Sequence, residues 1–231
     1  MNRSNRHPVL LTSLSNPVVR RAQSCFNHVE SKVAKSYPEM AVSLSVIDSP
    51  SYWAGVVEAE RKPVIHRIYV TKGLVDALTT DQLVSVIAHE WGHLVKKIKG
   101  IQMIIPFAAL IASAGINTGL CLLFWQPENI FTMISILTAG CLASVFALLC
   151  IERKLGKHQE HLCDHFSASI SSSLSIVQTL RRMNHLVGDD FKARKSGIKA
   201  FWVSQSSTHP SMMQRVQYIR RNRHVIKKEK L

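Results

Sequence analysis

The chain has 231 residues, a hydrophobic fraction of 46% and a formal net charge of +14, values that fit one globular domain with an insertion. Its five cysteines are an odd number without paired spacing, which excludes a disulfide-stapled secreted scaffold and favours a reducing compartment. A strongly basic chain binds either nucleic acid or an anionic membrane surface, and the distribution of the charge discriminates between these two partners.

The basic charge lies in two blocks on either side of an almost uncharged centre. Residues 1–100 carry 13 Lys and Arg against 8 Asp and Glu, and residues 152–231 carry 16 against 6. Residues 101–151 contain no Lys or Arg and a single acid, Glu128. This apolar centre favours anionic membrane lipids as the partner. No nucleic acid is expected, because the basic stretch 215–230 holds one aromatic residue and no recognisable base-reading motif.

The first hundred residues are expected to stay in the cytoplasm. The apolar stretch VLLTSL, residues 9–14, is too short and too polar for the hydrophobic region of a signal peptide. Further along, residues 64–70 (VIHRIYV) alternate and are rich in β-branched and aromatic side chains, which predicts a strand.

A helix with a marked N-terminus follows this strand. Thr79 and Gln82 in the sequence TTDQ form a possible capping box, and apolar residues recur after it at helical spacing: Leu83, Val86, Ile87, Leu94 and Val95. The segment SVIAHEWGHLVKK, residues 85–97, continues this helix.

Two histidines of this segment, His89 and His93, lie four residues apart, so both can offer an imidazole nitrogen to one ion on the same helix face. Zinc suits such a pair. Glu90 is close enough to act as general base on a water activated by the metal. Gly92 leaves space for substrate or serves helix packing. The pattern H-E-x-x-H also arises by chance, so a third ligand has to be found.

Two apolar runs, residues 101–125 and 130–151, are each long enough to span a bilayer and are joined by the polar link QPEN. We predict a transmembrane helical hairpin, in which Gly115, Gly119 and Gly140 let the helices approach closely. The alternative is a buried helical hairpin in the core of a soluble fold.

The charges that flank the hairpin predict its orientation. Both flanks are basic and the connecting link has no cation, so both flanks are expected on the cytoplasmic side by the positive-inside rule; the flanking cations are Lys96, Lys97, Lys99, Arg153, Lys154 and Lys157. Residues 1–100 and 152–231 can then form the two halves of one cytoplasmic domain, interrupted by the hairpin at 101–151.

Helices are predicted after the hairpin at residues 157–170, 175–186 and 211–223. The first of these contains the candidates for a third ligand. Glu160 is the first choice, with Asp164 one turn later on the same face. The rival pair, His161 and His165, lies about 100° further round the helix. This pair would complete four ligands and close the site to water, and residue type alone leaves the two possibilities open.

The segments IAHEWGHL, EHLCD and THPSMMQRVQYI, with a membrane hairpin between the first two, resemble the HtpX and CAAX-prenyl-protease group of membrane zinc metallopeptidases over residues 64–220. The resemblance implies a zincin-like metallopeptidase domain, mainly α with a small β-sheet, interrupted by the transmembrane hairpin. It implies one zinc ion per chain, held by His89, His93 and Glu160, with Glu90 as general base.

The same resemblance implies roles for three more residues. Asp164 matches a carboxylate that orients a ligand histidine, His209 matches a histidine that stabilises the oxyanion, and Arg215 matches an arginine that supports it. An asparagine-alanine motif expected upstream, on a substrate-binding edge, is replaced by SYWAG at residues 51–55, which puts the grip on the substrate backbone in doubt.

The leading hypothesis is therefore a membrane-anchored zinc endopeptidase of the bacterial inner membrane, with its active site on the cytoplasmic side. Its substrates would be membrane or membrane-adjacent polypeptides, bound by β-addition to the strand at 64–70. A second hypothesis is a catalytically weak, metal-stabilised membrane protein that binds or regulates partners. A membrane-tethered nucleic-acid binder is the third.

Overall fold

The computed structural model of the chain describes residues 10–58, 66–96, 108, 111–119, 122, 130–194 and 210–228. These residues belong to two compact units. The first unit contains the described residues up to 96 together with residues 160–194 and 210–228, and the second contains the described residues from 108 to 159.

The first unit contains a four-stranded sheet. Its strands are β1 (Leu10–Leu11), β2 (Val42–Ile47), β3 (Ala54–Glu58) and β4 (His66–Thr71), in the order β1-β2-β4-β3. β2 and β4 are parallel, with Val46 opposite Val70, whereas β1 and β3 run antiparallel to their neighbours.

The strand predicted at 64–70 is observed from His66, as β4. It lies between β2 and β3, so neighbouring strands already occupy both of its edges. The prediction that this strand binds substrate by β-addition is therefore wrong. Among the described strands, the outer edges of the sheet belong to β1 and β3.

Two helices near the sheet complete the N-terminal part of the core. α1 (Pro17–Val33) is capped by the Asn16 side chain, which accepts a hydrogen bond from the Val18 amide, and its proline stands in the first turn, where no amide is needed. Its buried face recurs at helical spacing: Val19, Ala22, Cys25, Phe26, Val29 and Val33. The short α2 (Lys72–Ala77) follows β4 directly.

α3 (Thr80–Val95) begins at the predicted capping box, in which both hydrogen bonds between Thr79 and Gln82 are present. Eleven of its sixteen residues are buried. Trp91 is 1% exposed and lies with its ring centroid 6.1 Å from that of Phe26 in α1. One face of α3 is thus fixed in the apolar core, and the histidines project from another face.

The predicted C-terminal helices are confirmed as α4 (Ile130–Ile170), α5 (Ser173–Arg194) and α6 (Met212–Arg221). A second capping box, between Ser211 and Gln214, fixes the start of α6. The last helix, α7, covers Arg223–Lys228. The fold is mainly helical with a small sheet, as predicted.

The second unit contains the helical residues 111–119 and the part of α4 up to residue 159. The Asn117 side chain lies directly against Gly140, and the hydroxyls of Ser113 and Ser144 are in contact. The close approach predicted for the glycines is observed at Gly140. It is not observed at Gly115 or Gly119, where an added Cβ would meet no atom within 4 Å in the parts of the chain that the structure describes.

The first predicted span, 101–125, lies mostly outside the described residues. Within the described residues, no helix is long and apolar enough to cross a membrane.

Candidate metal centre

Three side chains from two helices of the first unit converge on one point. The Nε2 atoms of His89 and His93 in α3 are 3.2 Å apart. The Glu160 carboxylate of α4 reaches both rings, with Oε2 at 3.4 Å from His89 Nε2 and Oε1 at 3.5 Å from His93 Nε2. These are the residues that the described part of the chain offers as a group able to hold a metal ion.

The spacing of these atoms fits zinc. Ligand atoms at about 2.0–2.1 Å from a tetrahedral ion lie about 3.3 Å from one another, and the three measured separations are 3.2, 3.4 and 3.5 Å. Two imidazoles and one carboxylate form the ligand set of a catalytic zinc site, in which the fourth position is left for water or substrate.

A buried carboxylate and a buried arginine lie behind His89. Asp164 Oδ1 is 3.0 Å from His89 Nδ1, so this ring nitrogen can donate to Asp164 while Nε2 faces the metal position. The Arg215 guanidinium binds Asp164 in bidentate fashion, with Nε donating to Oδ2 over 2.8 Å and Nη2 donating to Oδ1. Asp164 is fully buried and Arg215 is 8% exposed.

Arg215 also reaches a candidate ligand directly, because its Nη1 lies 3.4 Å from Glu160 Oε2. Its Nη2 lies 3.3 Å from His89 Nδ1. When Nδ1 of His89 carries its proton, this nitrogen and Nη2 of Arg215 both donate to Oδ1 of Asp164. One arginine thus contacts two carboxylates and one imidazole of the cluster.

The charges of the cluster shift the pKa values of its members. Burial and the Arg215 charge lower the pKa of His89, but its hydrogen bonds to the Asp164 and Glu160 carboxylates and the Asp164 charge outweigh them and raise this pKa to about 9 in the metal-free protein. Burial raises the pKa of Asp164, but the hydrogen bonds and charge of Arg215 hold it below its ordinary value. Asp164 is therefore a carboxylate.

Glu90 is 9% exposed and follows His89 directly in α3. Gly92 lies one turn from His89 and packs against α4, since a Cβ at this position would be 2.9 Å from Cys163 Cα. The expectation that Gly92 leaves space for substrate is therefore wrong, and its alternative role in helix packing is observed. Burial raises the pKa of the Cys163 thiol, as do the charges of Glu160 and Asp164, so this thiol is protonated.

The rival ligand His161 faces elsewhere. Its ring stacks on Tyr218 of α6 with centroids 4.2 Å apart and planes 18° from parallel. The structure thus brings His89, His93, Glu160, Asp164 and Arg215 into one cluster. His209 lies outside the described residues. The sequence alone does not predict the contact between Gly92 and Cys163. Its one signal for this contact is the small residue between the two histidines.

Comparison with known proteins places this chain in a family. The model of peptidase family M48 matches residues 18–223. The chain is 29% identical over 175 residues to "Protease HtpX homolog" of Salinibacter ruber, covering 68% of this chain and 59% of that protein. It is 24% identical over 224 residues to the protein of the same name from Methanopyrus kandleri, covering 88% and 67%.

The chain thus spans about three fifths of the length of the Salinibacter ruber relative. Its fold is similar to that of Ste24p from S. mikatae in a crystal structure, with a TM-score of 0.56 and 15% identity over 92% of this chain and 51% of that one. The predicted resemblance to this group of metallopeptidases is confirmed, and the chain belongs to peptidase family M48.

Proposed function

We propose that the chain is a membrane-anchored, zinc-dependent endopeptidase that hydrolyses peptide bonds of membrane or membrane-adjacent proteins. The observation that carries this proposal is the convergence of His89, His93 and Glu160 at the spacing of ligands around one tetrahedral ion. Family membership supports the same activity.

His89, His93 and Glu160 would hold the ion, which supplies polarisation of the scissile carbonyl and acidification of a water. Glu90 takes the proton of the attacking water and passes it to the leaving amine. Its position in the chain, directly after a ligand, and its burial support this role. His209 is proposed to stabilise the oxyanion.

Arg215 is proposed to support the site from behind. Its guanidinium donates hydrogen bonds to Asp164 and lies beside Glu160. Its positive charge therefore compensates the charges of two buried carboxylates. Asp164 in turn orients His89 through Nδ1, which fixes the tautomer that leaves Nε2 free for the metal.

The substrate is proposed to bind along β3. This strand is an outer strand among those described and contacts α3, the helix of the two histidines. An extended peptide added to such an edge gains main-chain hydrogen bonds. The exposed Trp53 precedes β3. It lies in the segment 51–55, in which the asparagine of the expected asparagine-alanine motif is absent.

The membrane anchor is proposed from the sequence of residues 101–151 and from the exposed surface of the second unit. Large apolar side chains there face outward, and five expose more than 60% of their surface: Ile116, Leu122, Phe131, Leu142 and Phe146. Apolar patches of this kind mark membrane or partner contacts. The flanking cations would contact anionic lipids and keep the active site on the cytoplasmic side of a bacterial inner membrane.

Glu90→Gln tests the proposed chemistry. The amide cannot accept a proton from water, whereas the three metal ligands are unchanged, so we expect the variant to retain zinc and to lose cleavage of a fluorescence-quenched casein. Glu39→Gln, at an exposed position, is the matched control and should retain both. Casein cleavage by Glu90→Gln at the wild-type rate would contradict the role of Glu90, whereas a zinc-loaded wild type that cleaves no casein would favour a metal-stabilised binding protein.

A further inference from the structure

The contact between α3 and α4 continues beyond the proposed ligands as a row of buried hydroxyl groups. Ser85 lies one turn before His89 on α3, and Ser167 lies one turn after Asp164 on α4. Neither serine has exposed surface. The Ser167 Oγ donates a hydrogen bond of 2.6 Å to the backbone carbonyl of Ser85, which joins the two helices.

The hydroxyl of Ser85 lies in a shared network. It is 2.7 Å from Ser175 Oγ, 3.0 Å from Ser171 Oγ and 2.9 Å from the Asp81 carbonyl. A serine hydroxyl has one proton to donate, so the proton of Ser85 has alternative acceptors. The proton of Ser167 goes to the Ser85 carbonyl, and this bond crosses directly from α4 to α3.

The acceptor of the Ser167 bond belongs to the turn that carries a proposed ligand. In an α-helix the amide of residue 89 bonds to the carbonyl of residue 85, so the Ser167 hydroxyl and the His89 amide meet at one oxygen. On the other side of His89, Gly92 is in close contact with Cys163. His89 therefore lies between two points at which α3 is held against α4.

We propose that Ser167 is a positioning residue for the metal site, whose hydroxyl fixes the register of α3 against α4. This inference rests on the proposed function for the assignment of the ligands, which come from both helices. Apolar packing is non-directional, whereas a hydrogen bond restricts both distance and angle. Because metal–ligand distances tolerate about 0.2 Å, a directional bond between these helices sets the affinity for the ion.

Ser167→Ala tests the role by removing the donor. Ser169→Ala is the matched control, because the Ser169 hydroxyl bonds to the Phe166 carbonyl of its own helix. Ser85→Ala is a second comparison, since it removes a hydroxyl of the same row and leaves the carbonyl that Ser167 uses. The zinc dissociation constant of the full chain in detergent is measured by competition with a chromophoric chelator, and thermal unfolding of the zinc-free protein is measured in parallel.

We expect Ser167→Ala to raise the zinc dissociation constant about tenfold, the lower end of the effect of outer partners of metal ligands. Ser169→Ala should leave it unchanged, and Ser85→Ala should change it less than Ser167→Ala does. If Ser167→Ala does not fold, Ser167→Cys takes its place, because a thiol is a weak donor.

A lower melting temperature of the Ser167 variant with unchanged zinc affinity would assign it a structural role only and overturn the inference. The inference would also be overturned if Ser85→Ala weakened zinc binding as much as Ser167→Ala does. The two proposals fail differently. If the wild type binds no zinc through His89 and His93, both fall; if it binds zinc and the Ser167 variant matches its control, this inference alone falls.

Discussion

The packing of Gly92 against Cys163 makes Gly92→Ala a sharp test of how α3 and α4 build the metal centre. A Cβ at position 92 would lie 2.9 Å from Cys163 Cα and 3.1 Å from its Cβ. Carbon atoms in contact lie about 3.5–4.0 Å apart, so the helices must separate locally by about 0.5 Å or more. The nearest obstructing atom is backbone, which a rotamer change cannot move.

Two opposing effects determine the stability of this variant. Overpacking costs about 1–3 kcal/mol, and replacing a helical glycine by alanine stabilises by about 1 kcal/mol, so the net loss of unfolding free energy is about 0–2 kcal/mol. The effect on zinc binding is larger than the effect on stability, because the separation of the two helices exceeds the tolerance of about 0.2 Å in metal–ligand distances. We expect zinc affinity to fall at least about tenfold, or about 1.4 kcal/mol.

Chelator competition measures the zinc affinity, and thermal unfolding with and without zinc measures the stability. Gly115→Ala is the matched control, since a Cβ there meets no atom within 4 Å and, among the residues that the structure describes, changes helix propensity alone. The reasoning is refuted if Gly92→Ala binds zinc as tightly as the wild type and is stabilised to the same extent as Gly115→Ala.

Three further predictions concern the surroundings of the site. Asp164→Asn removes the bidentate carboxylate partner of the buried Arg215 and leaves it Glu160, 3.4 Å from Nη1, so unfolding free energy should fall by about 3–5 kcal/mol and zinc affinity by about 10–100-fold; a melting temperature equal to that of the wild type within error would contradict this. The pKa of His89 is raised to about 9 in the metal-free protein, so protonated His89 stabilises that form fully below about pH 6.5. This stabilisation is lost as the pH rises towards 9. Zinc needs the neutral ring, so its affinity should rise across the same interval with proton release measurable by calorimetry, and a pH-independent affinity would refute this. Thr79→Ala removes half of the capping box of α3 and should cost about 1 kcal/mol of stability by urea titration, with zinc affinity of the folded protein unchanged.

The sequence predicts the parts of this site that depend on local geometry. Helical spacing places His89 and His93 on one face, and the capping box at Thr79 marks where their helix begins. α1 has equally local signals, since Asn16 and the following proline mark its start and apolar residues recur along it, so it could have been predicted as well. The strand order could not, because β4 pairs in parallel with β2 rather than only with its sequence neighbour β3, and this non-local pairing depends on tertiary packing.

The choice of third ligand shows where local information ends. Glu160 and His161 are adjacent, so a helix rotation of about 100° exchanges their directions, and either residue type binds zinc. The stacking of His161 on Tyr218 is a contact between α4 and α6 that no spacing in the sequence predicts. The same holds for Arg215, whose partner Asp164 is 51 residues away in the chain.

The metal content of three purified proteins tests the central claim most directly: the wild type, Glu160→Ala and His161→Ala. Because Glu160 lies 3.4 and 3.5 Å from the two imidazole nitrogens and His161 stacks on Tyr218, we predict that zinc is lost from Glu160→Ala and retained by His161→Ala. Loss of zinc from His161→Ala alone would contradict the ligand set and the open catalytic site built on it.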